Sequence, residues 1–333
     1  MQNQSPILEV KSLHTHFFTR DGLIKAVDDV NFELYPGETL GIVGESGSGK
    51  SMTAMSIMGL VPHPGKIVQG TILYKGEDLR TKTRKQMRNI RGKEISMVFQ
   101  DPMTSLNPVF TIEKQMIETI RAHENVTKMQ ARKKAVDLLH LVGIPDPDKR
   151  LSNYPHEFSG GMRQRIMIAM ALTCNPAVLI ADEPTTALDV TIQAQILELF
   201  KDMQRNLNMA IIMITHDLGV VAETCDRVMV MYAGKPVEYT KTTQLFDEMK
   251  HPYTTGLMNS IPTIKPDKTK LQTIIGGPPD LKALPQGCSF APRCQYVMDS
   301  CRKIDPILQP VGPDHFVRCL LYNQSQSEKV INP

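Results

Sequence analysis

Gly44-Glu45-Ser46-Gly47-Ser48-Gly49-Lys50-Ser51 follows the almost continuously apolar run Leu40 to Val43 and precedes a helical stretch from Ser51 to Leu60. A near-continuous apolar run is the pattern of a parallel strand buried on both faces. The octet itself has the spacing G-x-x-x-x-G-K-[ST] of a phosphate-binding loop, and it lies between strand and helix, where such a loop works. Its glycines let backbone N–H groups turn inward around phosphates. Lys50 supplies charge to the β- and γ-phosphates, and the Ser51 hydroxyl is suited to Mg²⁺. A chance glycine-rich turn would have neither the strand before it nor the helix after it.

Outward from this loop, Ile95 to Phe99, Val178 to Ala181 and Ala210 to Ile214 read as further buried strands, with helices at Gly161 to Leu172 and Ile192 to Leu207. Alternating strands and helices predict a parallel α/β core of the P-loop NTPase type. Val30 to Leu34 alternates apolar with polar and Ile7 to Val10 does so roughly, with Tyr35-Pro36-Gly37 as a turn, so an antiparallel β edge is expected at the start. Ala131, Ala135, Leu138, Leu139 and Val142 share one helix face, Thr127 and Gln130 form a capping-box pattern ahead of them, and Gly143 is a stop. A helical insertion over about 101–165 follows. Pro262 to Pro279, with Gly276-Gly277-Pro278-Pro279, reads as a linker, which divides the chain into a nucleotide-binding domain at 1–260 and a cysteine-containing tail at 261–333.

The composition sets limits. The 333 residues are 41% hydrophobic and 22% charged, ordinary for a globular protein. Apolar runs such as Ile166 to Leu172 and Ala177 to Ala181 fall short of the ~20 residues that cross a bilayer, and no basic and apolar leader opens the chain. The expectation is a cytosolic protein. A net charge of +3 is too mild to argue for nucleic acid, and the run Arg80, Lys82, Arg84, Lys85, Arg88, Arg91 and Lys93 reads as a solvated face, so no nucleic-acid partner is expected. The 20 methionines fill core or partner-facing gaps.

Val178 to Glu183 is a buried strand ending in two carboxylates, whose tip in a parallel sheet lies on the edge of the phosphate loop. Asp182 would hold the Mg²⁺ shell, and Glu183 would act as general base on the attacking water. Phe158-Ser159-Gly160-Gly161-Met162 precedes a helix, so Ser159 and the glycine amides can present a helix N-terminus to a phosphate.

In order, the phosphate loop, Gln100, Ser159-Gly160-Gly161, Asp182-Glu183, Asp189 and His216 resemble the ATP-binding cassette (ABC) family over roughly Ile7 to Leu257. The resemblance implies an ATPase that works as a pair of cassettes. Gln100 resembles the glutamine that senses Mg²⁺ and the attacking water. Phe158 to Met162 resembles the signature that binds the γ-phosphate of ATP held by the opposite subunit, departing from the usual Leu-Ser-Gly-Gly-Gln at both ends but keeping its centre. Leu188-Asp189 resembles the loop between the two subunits, and His216 the switch histidine on the γ-phosphate. Phe17 or Phe18 would stack on adenine.

Four of six cysteines, Cys288, Cys294, Cys301 and Cys319, fall in the last fifty residues, while Cys174 and Cys225 read as buried and inert. A cytosolic chain keeps thiols reduced, so the four point to metal rather than to disulfides. The spacing C-x5-C-x6-C-x17-C lacks the C-x2-C pairs of common zinc sites, and four thiolates suit an iron-sulfur cluster; zinc and free thiols remain alternatives. Gly287 to Cys294, His251-Pro252-Tyr253-Thr254 and Tyr154-Pro155-His156-Glu157 resemble oligopeptide and dipeptide importer ATPases, closest to the oligopeptide-permease type. That resemblance implies a 4Fe-4S cluster in the tail. It also implies a peripheral position on the cytoplasmic face of the inner membrane, two transmembrane permease subunits, a second homologous ATPase subunit and an extracytoplasmic peptide-binding protein. Importers of dipeptides, nickel or other small solutes use the same subunit type. Soluble cassettes of DNA repair or translation carry a coiled-coil insertion or two cassettes, neither of which is seen here.

Overall fold

The computed structural model describes residues 5–101, 105–185, 188–260 and 274–322. Among them the strands are, in chain order, β1 (Leu8–Thr19), β2 (Gly22–Leu34), β3 (Thr39–Val43), β4 (Gly65–Tyr74), β5 (Glu77–Asp78), β6 (Ile95–Val98), β7 (Val178–Asp182), β8 (Ala210–Thr215), β9 (Arg227–Tyr232), β10 (Lys235–Lys241), β11 (Gln309–Gly312) and β12 (His315–Val317). The chain divides into two compact units that interleave along the sequence. One comprises Met1–Leu8, Glu33–Thr39 and Leu73–Ile214, the other Glu9–Phe32, Leu40–Ile72 and Thr215–Pro333.

The first unit holds the parallel ladder β6-β7-β8, in register from Ile95↔Val178 to Val98↔Ala181 and from Val178↔Ala210 to Asp182↔Ile214. All three strands are buried along their length, as their mostly apolar sequences lead one to expect; the polar exceptions are Ser96, Asp182 and Thr215. The helical insertion forms with helices at Ile112–His123, Lys128–Leu141 and Pro147–Arg150. Lys128–Leu141 starts at a complete capping box: Gln130 N–H donates to Thr127 Oγ1 (3.3 Å) and Thr127 N–H to Gln130 Oε1 (2.9 Å). Such a cap is worth about 1 kcal/mol. Ala131, Ala135, Leu138, Leu139 and Val142 are all buried, so the apolar stripe is the core face. The basic run lies on and around the helix Arg84–Ile90, where Arg84, Lys85 and Arg88 are exposed, as a solvated face should be.

In the second unit β2, β1 and β4 are neighbours in one sheet, the antiparallel edge expected at the start of the chain. β1 and β2 run to 12 and 13 residues, far beyond the expected Ile7 to Val10 and Val30 to Leu34. Polar residues with tertiary partners hid their length. His14 Nδ1 pairs with Asp28 Oδ1 at 2.8 Å, and Arg318 Nη2 donates to Asp29 Oδ2 at 2.9 Å. β3 pairs in parallel with β9, which continues antiparallel to β10, then β12, then β11. The tail thus adds strands to the sheet that carries the phosphate loop. Behind them Glu238 is wholly buried. It meets His315 Nε2 at 2.8 Å and accepts from the Lys250 and His251 N–H groups at 2.8 and 3.0 Å, which offsets its loss of hydration. Much of the linker expected at Pro262 to Pro279 lies outside the described residues. No helix among those described is long and apolar enough to cross a membrane.

Candidate functional site

The second unit builds the phosphate loop. β3 delivers the chain to Gly44, whose φ of 152° and close surroundings exclude any side chain: a Cβ there would stand 2.2 Å from the Met231 carbonyl oxygen. Gly49, at φ 102°, leads directly into the helix Lys50–Ile57, with no side-chain cap on that helix start. The first N–H groups of a helix lack intrahelical acceptors and carry its positive dipole end, so this start is made for an anion. Lys50 is only 5% exposed, and its ammonium donates to the Gly44 and Glu45 carbonyl oxygens at 2.7 and 2.9 Å. Ser48 Oγ is buried without a hydrogen-bond partner. A desolvated cation, an orphaned hydroxyl and a helix start on one short loop fit the phosphates of a nucleotide. Phe17 is half-buried, its ring edge 2.8 Å from where a Cβ on Gly65 would stand, so the missing side chain at Gly65 makes room for the ring. Phe18 is exposed. His216, just past β8, is also exposed, and Asp217 beside it caps the helix Leu218–Thr224 through the Gly219 N–H (2.7 Å).

The first unit carries the carboxylates. Asp182 ends β7 and is 4% exposed. Glu183 follows at φ 47°, a left-handed backbone that costs a non-glycine residue about 1–3 kcal/mol and persists where surroundings enforce it. Its N–H is held by the Ile214 carbonyl at 2.9 Å. Gln100, just beyond β6, donates from Nε2 to Glu183 Oε2 at 3.0 Å, so the fold brings together two residues 83 positions apart. The signature Ser159 caps its own helix, Gly160–Ala171, accepting from Met162 N–H at 3.3 Å, while Phe158 is buried as an anchor beneath it. Asp189 caps Val190–Leu207 through Ile192 N–H at 3.0 Å. One contributor escaped sequence reasoning. Gln164, 2% exposed, donates to the Pro184 carbonyl at 2.9 Å, tying the signature helix to the residue after Glu183. A glutamine on an otherwise apolar helix face was the available signal.

All six cysteines of the chain are free thiols, and in the tail Cys288, Cys294, Cys301 and Cys319 line one small cavity with Phe290, Ala291 and Leu320. Burial pushes the Cys288 thiol up to about 11 and that of Cys319 up to about 12, and raises Cys294, so without a metal they stay protonated at neutral pH. Among the described residues, the one set of three His, Cys, Asp or Glu ligand atoms mutually within 4.8 Å is His14, His16 and Asp28, and Asp28 already serves His14 and Lys235. No three tail thiols are that close. Four thiols on one cavity are a donor set that suits either zinc or an iron-sulfur cluster. Of the remaining cysteines Cys225 is buried, its thiol pushed up to about 12, whereas Cys174 is only half-buried, less covered than its sequence setting suggests.

Residues 27–186 match the family model of the ABC transporter, and 237–301 that of the oligopeptide/dipeptide transporter, C-terminal region. The chain is 52% identical over 327 residues to the dipeptide transport ATP-binding protein DppD of Bacillus subtilis, covering 98% of both chains. It is 53% identical to the oligopeptide transport ATP-binding protein OppD of Haemophilus influenzae, covering 95% of this chain and 98% of the other. Among solved structures it resembles a dimeric ATP-binding cassette in a post-hydrolysis state with ADP and Pi (TM-score 0.65, 26% identity, 71% of this chain and 98% of the other). It also resembles cbiO1 from Clostridium perfringens, part of the ABC transporter complex cbiONQ (TM-score 0.61, 29% identity, 74% and 92%). With the loop, the carboxylates and the thiol-bearing tail in place, the chain belongs to the ABC transporter ATPases that carry the oligopeptide/dipeptide transporter C-terminal region.

Proposed function

We propose that this chain is the ATP-hydrolysing subunit of an importer that brings oligopeptides across the bacterial inner membrane. The observation that carries the ATPase reading is the buried Lys50 ammonium, held by two loop carbonyls at a helix start and ready to be exchanged onto phosphate. The peptide reading is supported by the names of the relatives and by the C-terminal region.

Within it, Gly44 to Ser51 cradle the phosphates, Phe17 stacks on adenine, and Ser51, Gln100 and Asp182 hold Mg²⁺. Glu183 takes a proton from the attacking water, its carboxylate oriented by the Gln100 hydrogen bond. His216 contacts the γ-phosphate. Ser159, Gly160, Gly161 and Asp189 serve the ATP of a second homologous subunit; Ser159 is exposed and so available to a partner. Two permeases and an external peptide-binding protein complete the assembly, with this chain peripheral on the cytoplasmic face. Residues 1–260 form the nucleotide-binding domain, and 261–333 the tail whose β12 extends its sheet. Cys288, Cys294, Cys301 and Cys319 hold a 4Fe-4S cluster, supported by four thiols that line one cavity.

Anaerobic co-purification tests both parts. Permease and partner ATPase subunits should co-elute, with about four iron and four sulfide per chain. Elution alone would count against the transporter reading, and zinc in place of iron against the cluster.

A further inference from the structure

Glu45 is the second residue of the phosphate loop, and it is held on every side. Its carbonyl accepts from Lys50 Nζ (2.9 Å) and Ser48 N–H (3.2 Å), and its N–H donates to Tyr253 Oη (2.8 Å). Its carboxylate takes a two-pronged bond from Arg293, whose Nη1 and Nη2 donate to Oε2 and Oε1 at 2.7 and 3.0 Å. The Arg293 side chain is only 9% exposed, and the same guanidinium donates to the Ile275 and Gly276 carbonyls. A forked, largely desolvated pair of this kind is strong and geometrically specific.

Arg293 lies in the cysteine loop. It closes the short turn Ala291–Arg293, which is bounded by Cys288 and Cys294. The Cys288 N–H is fixed to the Cys301 carbonyl (2.8 Å), and the Cys288 carbonyl holds Ala291 N–H (3.0 Å). Phe290 of this loop packs on Tyr253 and Tyr232, with ring centroids 5.4 and 5.2 Å apart, so the arm that carries Arg293 is rigid against the elements behind the phosphate loop.

We propose that Arg293 is a positioning residue of the nucleotide site, and that through it the state of the Cys288 and Cys294 thiols sets nucleotide affinity. Two effects act together. When Lys50 leaves the Glu45 carbonyl to reach phosphate, Tyr253 and Arg293 still hold Glu45 in place. Arg293 also neutralises a carboxylate that stands in an anion-binding loop, where its bare charge would oppose a triphosphate. The thiol part rests on the tail being a metal centre; the Arg293 part does not.

The test measures ADP and ATP affinity of the full-length chain. Arg293→Ala should weaken nucleotide binding about tenfold, and Glu45→Ala/Arg293→Ala should recover to within about threefold of wild type, because the uncompensated charge is gone. A purely structural arginine would instead give a double variant as weak as the single one or weaker, and that result overturns the proposal. Cys288→Ser/Cys294→Ser should weaken nucleotide binding in the wild-type background and leave the Arg293→Ala chain unchanged. Metal lost with nucleotide affinity intact sinks the coupling while leaving the metal reading standing. A chain without metal that still shows the Arg293 effect sinks the metal reading and the thiol coupling that rests on it, and leaves the Arg293 part standing.

Discussion

Replacing Glu183 by Gln removes one ionisable group and almost no volume. The neutral amide can no longer take a proton from water, and a positioned general base is worth about 10²–10⁴ in rate, or about 3–5 kcal/mol of barrier. Local structure should survive. Gln100 Nε2 donates to Glu183 Oε2 at 3.0 Å, and the new side chain can offer its carbonyl oxygen to the same donor. The backbone bond from residue 183 N–H to Ile214 is untouched. The expected outcome is therefore a loss of turnover of about 10²–10⁴ in the assembled complex, with ATP affinity within a few-fold of wild type. Phosphate release at saturating ATP reads the first quantity, and a fluorescent ATP analogue reads the second. Turnover within tenfold of wild type would refute the base assignment. Equal loss of binding and turnover would instead move Glu183 into the nucleotide-holding set.

Three further outcomes follow from particular contacts. Gly44→Ala should abolish nucleotide binding and lower thermal stability, because a Cβ would sit 2.2 Å from the Met231 oxygen at a φ of 152°; binding at wild-type strength would contradict the close approach. Gln164→Leu strips the Pro184 carbonyl of its buried donor but also removes the unpartnered Oε1, so a net cost of about 1 kcal/mol is expected in urea unfolding, with reduced turnover. A gain in stability with full turnover would detach Gln164 from the site. Burial lowers the His251 pKa from 6.5 to about 4, so the folded chain binds fewer protons than the unfolded one in that window. Stability from this group is full above pH 6.5 and falls as pH drops toward 4, by up to about 1.4 kcal/mol per unit. His251→Asn, which keeps an acceptor for the Tyr253 N–H, should flatten that slope; an unchanged slope would assign the acid loss elsewhere.

The core was legible because its signals are local. Apolar runs mark β3, β6, β7 and β8 directly, a Thr–Gln pair three residues apart marks a helix start, and the glycine-lysine octet has one use in the place it occupies. The long β1 and β2 were not legible, since His14, Asp28 and Asp29 interrupt their pattern and are tolerated only through tertiary partners. The tail strands β11 and β12 were hidden for the same reason. They are short, of four and three residues, and depend on pairing, β12 with β10 and β11 with β12, and on the buried Glu238 and His315, whose sequence positions lie 77 apart.

For this chain, then, sequence alone singled out the residues to which the chemistry is assigned here: Lys50 and Ser51 in the loop, Gln100, Asp182 and Glu183 at strand ends, and four thiols near the end of the chain. Those assignments rest on spacing along a few residues, which the chain carries whatever its surroundings. Only the tertiary structure decided what constrains them. That Gln100 orients Glu183, that Gln164 reaches Pro184, and that Arg293 of the cysteine loop clamps Glu45 across 248 residues are facts of distance. A glutamine or an arginine carries no mark of its partner until folding removes water from both and makes the hydrogen bond between them the way to satisfy each.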